Sequence, residues 1–363
     1  MGKVLILGGY GNFGKRIATA LTKKAIPVII AGRSRDKAEA LVNTLRLAEC
    51  AIFDIAIELA AQLQQWKPSV VVNTCGPFQN SNYDVAKICI QQGVHYIDLA
   101  DGRDFVTGII VLDADAKQHN VAVISGASTV PGLSSAVIEH YKSEFSEIES
   151  LRFGISPGQK AERGLATTRG IMTYVGRPLK PFASLSRPSY GWQDIYRQNY
   201  PELGFRWMAN CDIPDLDLLP ARYDIRSIGF SAGMELGFMH LGLWLLSWAV
   251  RLGLPLNLPK HASALLKVSD WFNGLGSADG GMHMILRGKD IHGKPHERRW
   301  FVIAKQGDGP QIPTIPAIVL AEKLVTNSLD YRGATACVGM VTLKEYLIEL
   351  EGFSITTHES TTN

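Results

Sequence analysis

The stretch KVLILGGYGNFGKRIATAL, Lys3 to Leu21, restricts the fold of this chain more than any other. Val4 to Leu7 is a continuous apolar run, as expected of a parallel strand covered on both faces. Four glycines follow, and an amphipathic helical pattern then continues to about Lys24. Gly9-x-Gly11-x-x-Gly14 fits the dinucleotide fingerprint, and Gly8-x-x-Gly11-x-x-Gly14 is a second reading of it. Such a loop needs backbone without side chains. One glycine makes the tight turn, one admits the pyrophosphate, and one lets helix and strand pack closely. A helix beginning near Asn12 offers free N–H groups and a positive dipole end to phosphates. A glycine turn without a ligand is the alternative. The strand before the motif and the helix after it favour a cradle formed by Gly8, Gly9, Tyr10, Gly11, Asn12, Phe13 and Gly14.

The same alternation continues through the first third. Strands are expected at PVIIAG (Pro27–Gly32), CAIFD (Cys50–Asp54), SVVVNTCG (Ser69–Gly76), VHYIDLA and VAVISG. Helices are expected at RDKAEALVNTL, IELAAQLQQW, YDVAKICIQQG and GIIVLDADAKQHN. With the first strand this makes six strands joined by helical crossovers, which implies an α/β domain with a doubly wound parallel sheet. Ligands of such sheets bind at the carboxyl ends of the strands.

The dinucleotide is chosen at the end of the second strand. A site for NAD(H) usually carries an acid there for the ribose 2′-hydroxyl. Here Arg33, Ser34 and Arg35 stand in its place. Guanidinium and hydroxyl groups suit a 2′-phosphate, so NADP(H) is preferred over NAD(H), although Ser34 can also cap the next helix. Asp54, ending the third strand, can face the adenine or cap a turn. Thr74, Cys75, Gly76 and Pro77, after the fourth, are expected beside the nicotinamide ribose, where glycine permits close approach.

A chain of 363 residues suits two domains. A hydrophobic share of 46% against 20% charged residues excludes general disorder. A net charge of +3 without a basic run argues against nucleic-acid binding. Cys50, Cys75, Cys89, Cys211 and Cys337 form no C-x-x-C pair, so reduced thiols and a cytoplasmic location are expected. The short, glycine-rich start does not read as a signal peptide.

LILGGYGNFGKRIA, AGRS, VVVNTCGPF, GVHYIDLAD and GASTVPGLSSAV come in the order and approximate spacing of the saccharopine dehydrogenase-like family, which the chain resembles. GDGPQIPTIPAIVLAEKLV (Gly307–Val325) is similar to that family's C-terminal part, while about 176–275 carries little resemblance. The resemblance implies a Rossmann domain over 1–126 and an α+β substrate and dimerisation domain with a mixed sheet over 127–363. Within the latter, about 315–350 is expected to pack back toward the Rossmann domain. It also implies an NADP(H)-dependent oxidoreductase, often a homodimer, that reduces an imine or carbonyl of a small substrate. The family pattern has Gly-Glu shortly after Tyr-x-Asp; here Asp101-Gly102 reverses the order.

Hydride transfer needs a group to manage the proton and often a cation for a substrate carboxylate. Asp98 and Asp101, after the fifth strand, are the acid/base candidates, with turn capping as the other reading of Asp98. His95 reads as structural. Ser128 and Thr129 can bond nicotinamide or substrate, or cap a helix opened by Pro131. Arg169, or Arg163 on the other side of Gly164, is the candidate carboxylate anchor. No metal site is expected, since Gly293 and Pro295 keep His292 and His296 off a helix. The competing class is a non-catalytic NADP(H) sensor or scaffold. Later, GGMHMILRG and ERRWFVIA read as a hairpin. Residues 236–250 carry no formal charge if His240 is neutral, a run too short for a membrane span. They suit a helix buried between domains or in a dimer interface, with a peripheral membrane contact as the alternative. That apolar run also leaves room for a greasier substrate with an activated double bond.

Overall fold

The computed structural model describes residues 2–79, 81–162, 164–182 and 188–362. Two compact units emerge, one of Met1–Ala136 with Gln311–Glu349, the other of Val137–Pro310 with Leu350–Asn363. In chain order, the first unit opens with β1 (Val4–Leu7), α1 (Asn12–Lys23), β2 (Val28–Gly32), α2 (Arg35–Val42), β3 (Ala48–Ile52) and α3 (Ile55–Trp66). It continues through β4 (Val70–Asn73), α4 (Asp84–Gln91), β5 (His95–Asp98), α5 (Arg103–Gly108), α6 (Asp113–Gln118) and β6 (Ala122–Ser125). Helix α7 (Ser134–Tyr141) carries the chain into the second unit.

That unit holds β7 (Phe145–Ser156), α8 (Leu165–Met172), β8 (Tyr196–Tyr200), β9 (Gly204–Asn210), α9 (Asp215–Tyr223) and β10 (Ser227–Met234). Next come α10 (Gly237–Arg251), α11 (Leu258–Asp270), β11 (Gly280–Asp290) and β12 (Pro295–Ala304). The chain then returns to the first unit with α12 (Ile315–Val325), β13 (Gly333–Ala336) and α13 (Leu343–Glu349), and ends with β14 (Ile355–Thr362) in the second.

The first sheet runs β13-β6-β5-β4-β1-β2-β3, with every pair parallel. All four side chains of β1, β4 and β6 and all five of β2 are buried, which explains their near-continuous apolar sequences. One face carries α3 and α4, whose Leu59, Leu63, Ala86 and Ile90 join Leu5, Leu7, Ile29 and Val71 in one core. Helix α12 packs on β4, β5 and α1, and nine of its 11 residues are buried. A helix apolar on every side is stable only under such cover.

The expected doubly wound sheet is therefore present, with a seventh strand that the sequence does not announce: Gly-Ala-Thr-Ala, paired with β6 from Gly333↔Ala122 to Ala336↔Ser125. Two further expectations shift. The third strand ends at Ile52, because Asp54 is already the N-cap of α3. The helix expected over Gly108–Asn120 breaks into the end of α5, a 3₁₀ turn at Ile109–Leu112, and α6.

The second unit holds a mixed sheet, β14-β12-β11-β7-β10-β9-β8, in which β7 and β10 are parallel and the other neighbours antiparallel. The expected hairpin is β11–β12, closed by Asp290, whose Oδ1 accepts from the amides of His292 and Lys294 at 2.8 Å. The sheet curls strongly enough for Tyr196 on β8 to meet His283 on β11, four strands away. Helix α10 packs on β9 and β10, yet only His240 and Ser247 on it are fully buried. The fully buried side chains of this helix are thus polar ones, His240 and Ser247. Among the described residues no helix is long and apolar enough to cross a membrane.

Candidate cofactor-binding and active site

The order of the parallel sheet reverses between β1 and β4, the crevice where open α/β sheets bind ligands. The glycine loop lies after β1. Gly8 has φ +73°, and a Cβ there would lie 2.8 Å from Thr74 Oγ1 and 2.9 Å from Cys75 Sγ. At Gly14 a Cβ would come within 2.4 Å of Gly8 O and 2.7 Å of Gly9 Cα. Helix α1 begins after Gly11 without a side-chain cap and without an acid in its first turn. Its N-terminal amides and dipole are thus left for an anion, which fits a dinucleotide pyrophosphate.

Within the loop the Asn12 side chain turns back on its own helix, bonding Arg16, so Asn12 offers backbone to the cradle. Phe13 lies in the first turn of α1. The Tyr10 hydroxyl accepts from Ser34 N at 3.0 Å, and the Tyr10 ring covers Gly32, where a Cβ would come within 2.4 Å of it. Tyr10 therefore links the glycine loop to the turn after β2.

At that turn Arg33 is exposed and makes no ion pair among the described residues. Ser34 occupies the N-cap position of α2, but its side chain makes no capping bond. Arg35 is exposed and paired with Glu39 at 3.1 Å. Asp54 Oδ1 accepts from Ala56 N at 2.9 Å, so this carboxylate caps α3.

After β4, Thr74 Oγ1 donates to Leu7 O at 2.8 Å, tying the end of β4 to the start of the glycine loop. Cys75 is open to solvent but closely surrounded by protein. That desolvation pushes its thiol up to about 11 despite the opposing field of Arg33, so it stays protonated at neutral pH. Gly76 and Pro77 follow, exposed and joined by a cis peptide.

The two carboxylates after β5 occupy different settings. Asp98 is fully buried, and its Oδ1 accepts from Ala100 N (3.0 Å), Ser125 Oγ (2.9 Å) and Gly126 N (2.8 Å). Its Oδ2 is buried without a hydrogen-bond partner. Desolvation outweighs those donors and raises the carboxyl to about 6. This geometry holds the turns after β5 and β6 together. Beside it Asn73 Nδ2 donates to Tyr96 Oη at 3.1 Å, and Asn73 Oδ1 accepts from Cys75 N at 3.0 Å.

Asp101 is only half-buried, and its Oδ1 accepts from Gln79 Nε2 at 3.0 Å. Desolvation pushes this carboxyl above its ordinary range as well. Nothing in the sequence singles out Gln79, nor Ser125, nor Arg103, a cation only 4% exposed one residue past Gly102. Each owes its place to folding. Gly102 lies against Phe78 and Gln79, which joins the loop after β5 to the loop after β4.

Other candidates have structural positions. Ala122 N donates to His95 Nδ1 at 2.9 Å, and desolvation, aided by Arg332, lowers this imidazole to about 4, so it is neutral. Pro131 does not open a helix. It follows a cis peptide in an irregular turn over Thr129–Leu133, and α7 starts at Ser134. Ser128 is half-buried and Thr129 buried at this turn. Arg169 is exposed in the last turn of α8, in the second unit; Arg163 lies outside the described residues. Also in the second unit, His283 is held between Tyr200 Oη (2.8 Å) and Tyr196 Oη (3.3 Å), and desolvation lowers it to about 3. Among the described residues no group of three or more His, Cys, Asp or Glu side chains could hold a metal.

A glycine cradle thus lies at the reversal of the sheet, with basic residues after β2. Residues 4–128 match the saccharopine dehydrogenase NADP binding domain. Over those residues the resemblance read from the sequence is shown, and the matched domain is an NADP-binding one. Two solved structures are similar over nearly the whole chain. Apo saccharopine dehydrogenase (L-Glu forming) from Saccharomyces cerevisiae aligns over 100% of both chains with a TM-score of 0.69 at 12% identity. Amine dehydrogenase from Mycobacterium smegmatis aligns over 93% of this chain and 95% of its own, with a TM-score of 0.51 at 12% identity. At such identities the likeness is one of fold. No curated protein sequence matches the chain.

Proposed function

We propose that the protein is an NADP(H)-dependent oxidoreductase that reduces an imine or carbonyl of a small substrate, with NADP(H) preferred over NAD(H). The observation that carries this reading is the pairing of an anion cradle after β1 with Asp101 after β5, a half-buried carboxyl raised above its ordinary range on the same edge of the sheet. The match to an NADP-binding domain supports the cofactor. The two structural relatives are named as dehydrogenases, one of amines, which supports reduction at a carbon–nitrogen or carbon–oxygen double bond.

A bound nicotinamide would supply the hydride. The chain's own residues then have distinct tasks. Gly8–Gly14 and the start of α1 hold the pyrophosphate. Arg33 and Ser34 hold the 2′-phosphate, because Arg35 is already paired with Glu39. Thr74–Pro77 line the ribose side. Asp101 donates the proton that the reduced nitrogen or oxygen requires, oriented by Gln79. Asp98 fixes the loops that carry these groups, and Arg169 remains the candidate anchor for a substrate carboxylate.

The cofactor assignment is tested by fluorescence titration with NADPH and NADH. Arg33→Ala should weaken NADPH binding about 10- to 100-fold, the range of one charge-assisted contact, and leave NADH within about threefold. Equal losses for both nucleotides would remove the 2′-phosphate role.

The proton-donor role is tested once a substrate is found by screening keto acids, aldehydes and amines for NADPH oxidation. Asp101→Asn should lower kcat by about 10²–10⁴ with NADPH affinity unchanged. In the wild type, activity in the reductive direction should fall as pH rises through the raised Asp101 pKa, since the donor must be protonated. An NADP(H) sensor would bind the nucleotide equally well and show no turnover in either form.

A further inference from the structure

Helix α10 is oriented against the usual rule for a helix in water. Its fully buried side chains are His240 and Ser247, while Phe238, Leu245 and Trp248 on its outer side are exposed. The loop after it exposes Leu252 (79%), Leu254 (55%) and Leu256. Helix α11 and the turn beyond it add Val268, Trp271 (79%) and Leu275 at helical spacing. Phe238 meets Phe272 with ring centroids 5.2 Å apart, so the start of α10 and the end of α11 adjoin. These nine residues are more than half of the 17 exposed large apolar side chains among the described residues, although they lie within 38 consecutive positions. Isolated exposed leucines need no explanation, but a contiguous apolar face marks an interaction surface.

Charge identifies what covers it. From Leu236 to Leu275 the one carboxylate is Asp270, exposed at the end of α11, against the cations Arg251, Lys260 and Lys267. Arg251 lies over the rings of Tyr190 (3.8 Å) and Trp248 (4.7 Å), a cation at the edge of an aromatic border. At the foot of α10 an open depression of about 630 Å³ is lined by Arg177, Tyr190, Arg251, Leu254 and Leu256, so cations and leucines share one rim. A two-fold dimer through this face would set the patch against itself, with three cations and only Asp270 to answer them. A negatively charged lipid surface answers them directly, and tryptophans and leucines between basic residues are the composition of interfacial helices.

We propose that α10, α11 and the loop between them form a docking surface for an anionic phospholipid bilayer, on which the protein lies without spanning it. The full chain is sedimented with vesicles of phosphatidylcholine alone and of phosphatidylcholine with phosphatidylserine at about 3:1. Binding should be about tenfold or more stronger to the anionic vesicles and weaken in ~0.5 M salt. Vesicles should also blue-shift the wild-type tryptophan emission. Leu254→Glu with Trp271→Glu should reduce vesicle binding at least about tenfold while NADPH binding and Tm are retained, because both side chains point into water. Wild-type protein left in the supernatant with both vesicle types would overturn the proposal, as would binding indifferent to these substitutions. Sedimentation velocity supplies the other decisive outcome. A dimer that this double variant dissociates, without vesicle binding by the wild type, would assign the face to a second copy of the chain.

Discussion

Asp98→Ala is expected to lower the unfolding free energy by about 2–5 kcal/mol at neutral pH. The substitution strands three donors at once, Ala100 N, Ser125 Oγ and Gly126 N, all meeting at Asp98 Oδ1 in a buried position. An unsatisfied buried donor costs about 1–3 kcal/mol. A partial offset exists, because the carboxylate itself is unfavourable there. Burial raises its pKa from the usual 3.8 to about 6, and each tenfold change in proton affinity corresponds to about 1.4 kcal/mol. The stranded donors outweigh that relief.

Asp98→Asn separates the two contributions. It keeps an acceptor for the three donors and removes the charge, so it should lie within about 1 kcal/mol of wild type near pH 5 and above it at pH 8. The sign follows from linkage. Between about pH 3.8 and 6 the native state holds the Asp98 proton that the unfolded chain has released, so this residue's contribution falls as pH rises and is flat above. Denaturant unfolding of the three proteins from pH 4 to 8 checks this. A wild-type level of stability in Asp98→Ala would show that the loops after β5 and β6 do not depend on this carboxylate.

Gly14→Ala should abolish nucleotide binding on any practical scale, with an affinity loss of at least about 100-fold, and lower Tm as well. The methyl group would meet Gly8 O and Gly9 Cα, which are backbone and cannot swing aside as a side chain could. The loop must open, which misplaces the amides that face the pyrophosphate. Isothermal titration with NADPH together with a thermal melt reads both effects. A folded variant that binds NADPH like the wild type would refute the cradle at this loop.

The first sheet is legible in the sequence because its strands are apolar on both faces and its glycines sit where no side chain fits. The second half is less so. Strand β13 consists of Gly, Ala, Thr and Ala, residues of mostly low strand preference, and is recruited only because β6 offers an open edge. The third strand ends two residues before the expected Asp54, which looks like a strand terminus at the end of CAIFD while its side chain already serves α3. Ser34 has the right residue type and position for a cap, yet does not cap by its side chain.

At the site, the sequence marks Asp98 and Asp101 together, and only the fold separates them. Two of the donors to Asp98 come from Ser125 and Gly126, more than 25 positions away, and Gln79 reaches Asp101 from the preceding crossover. For α10, the run of leucines and tryptophans carries no sign of which side faces the sheet. His240 and Ser247, seven residues apart, are the only hint.

The split composition of the first unit bears on how the chain is made. Helix α12, which seals one face of β4 and β5, is encoded beyond the whole of residues 137–310. On the ribosome the nucleotide-binding sheet therefore emerges with part of its apolar surface bare, and stays so until the second unit has been synthesised. Completion of the cradle's own scaffold is thus a late event in the life of the nascent chain, and the exposed face of β4 and β5 is where a chaperone would have to hold it in the meantime.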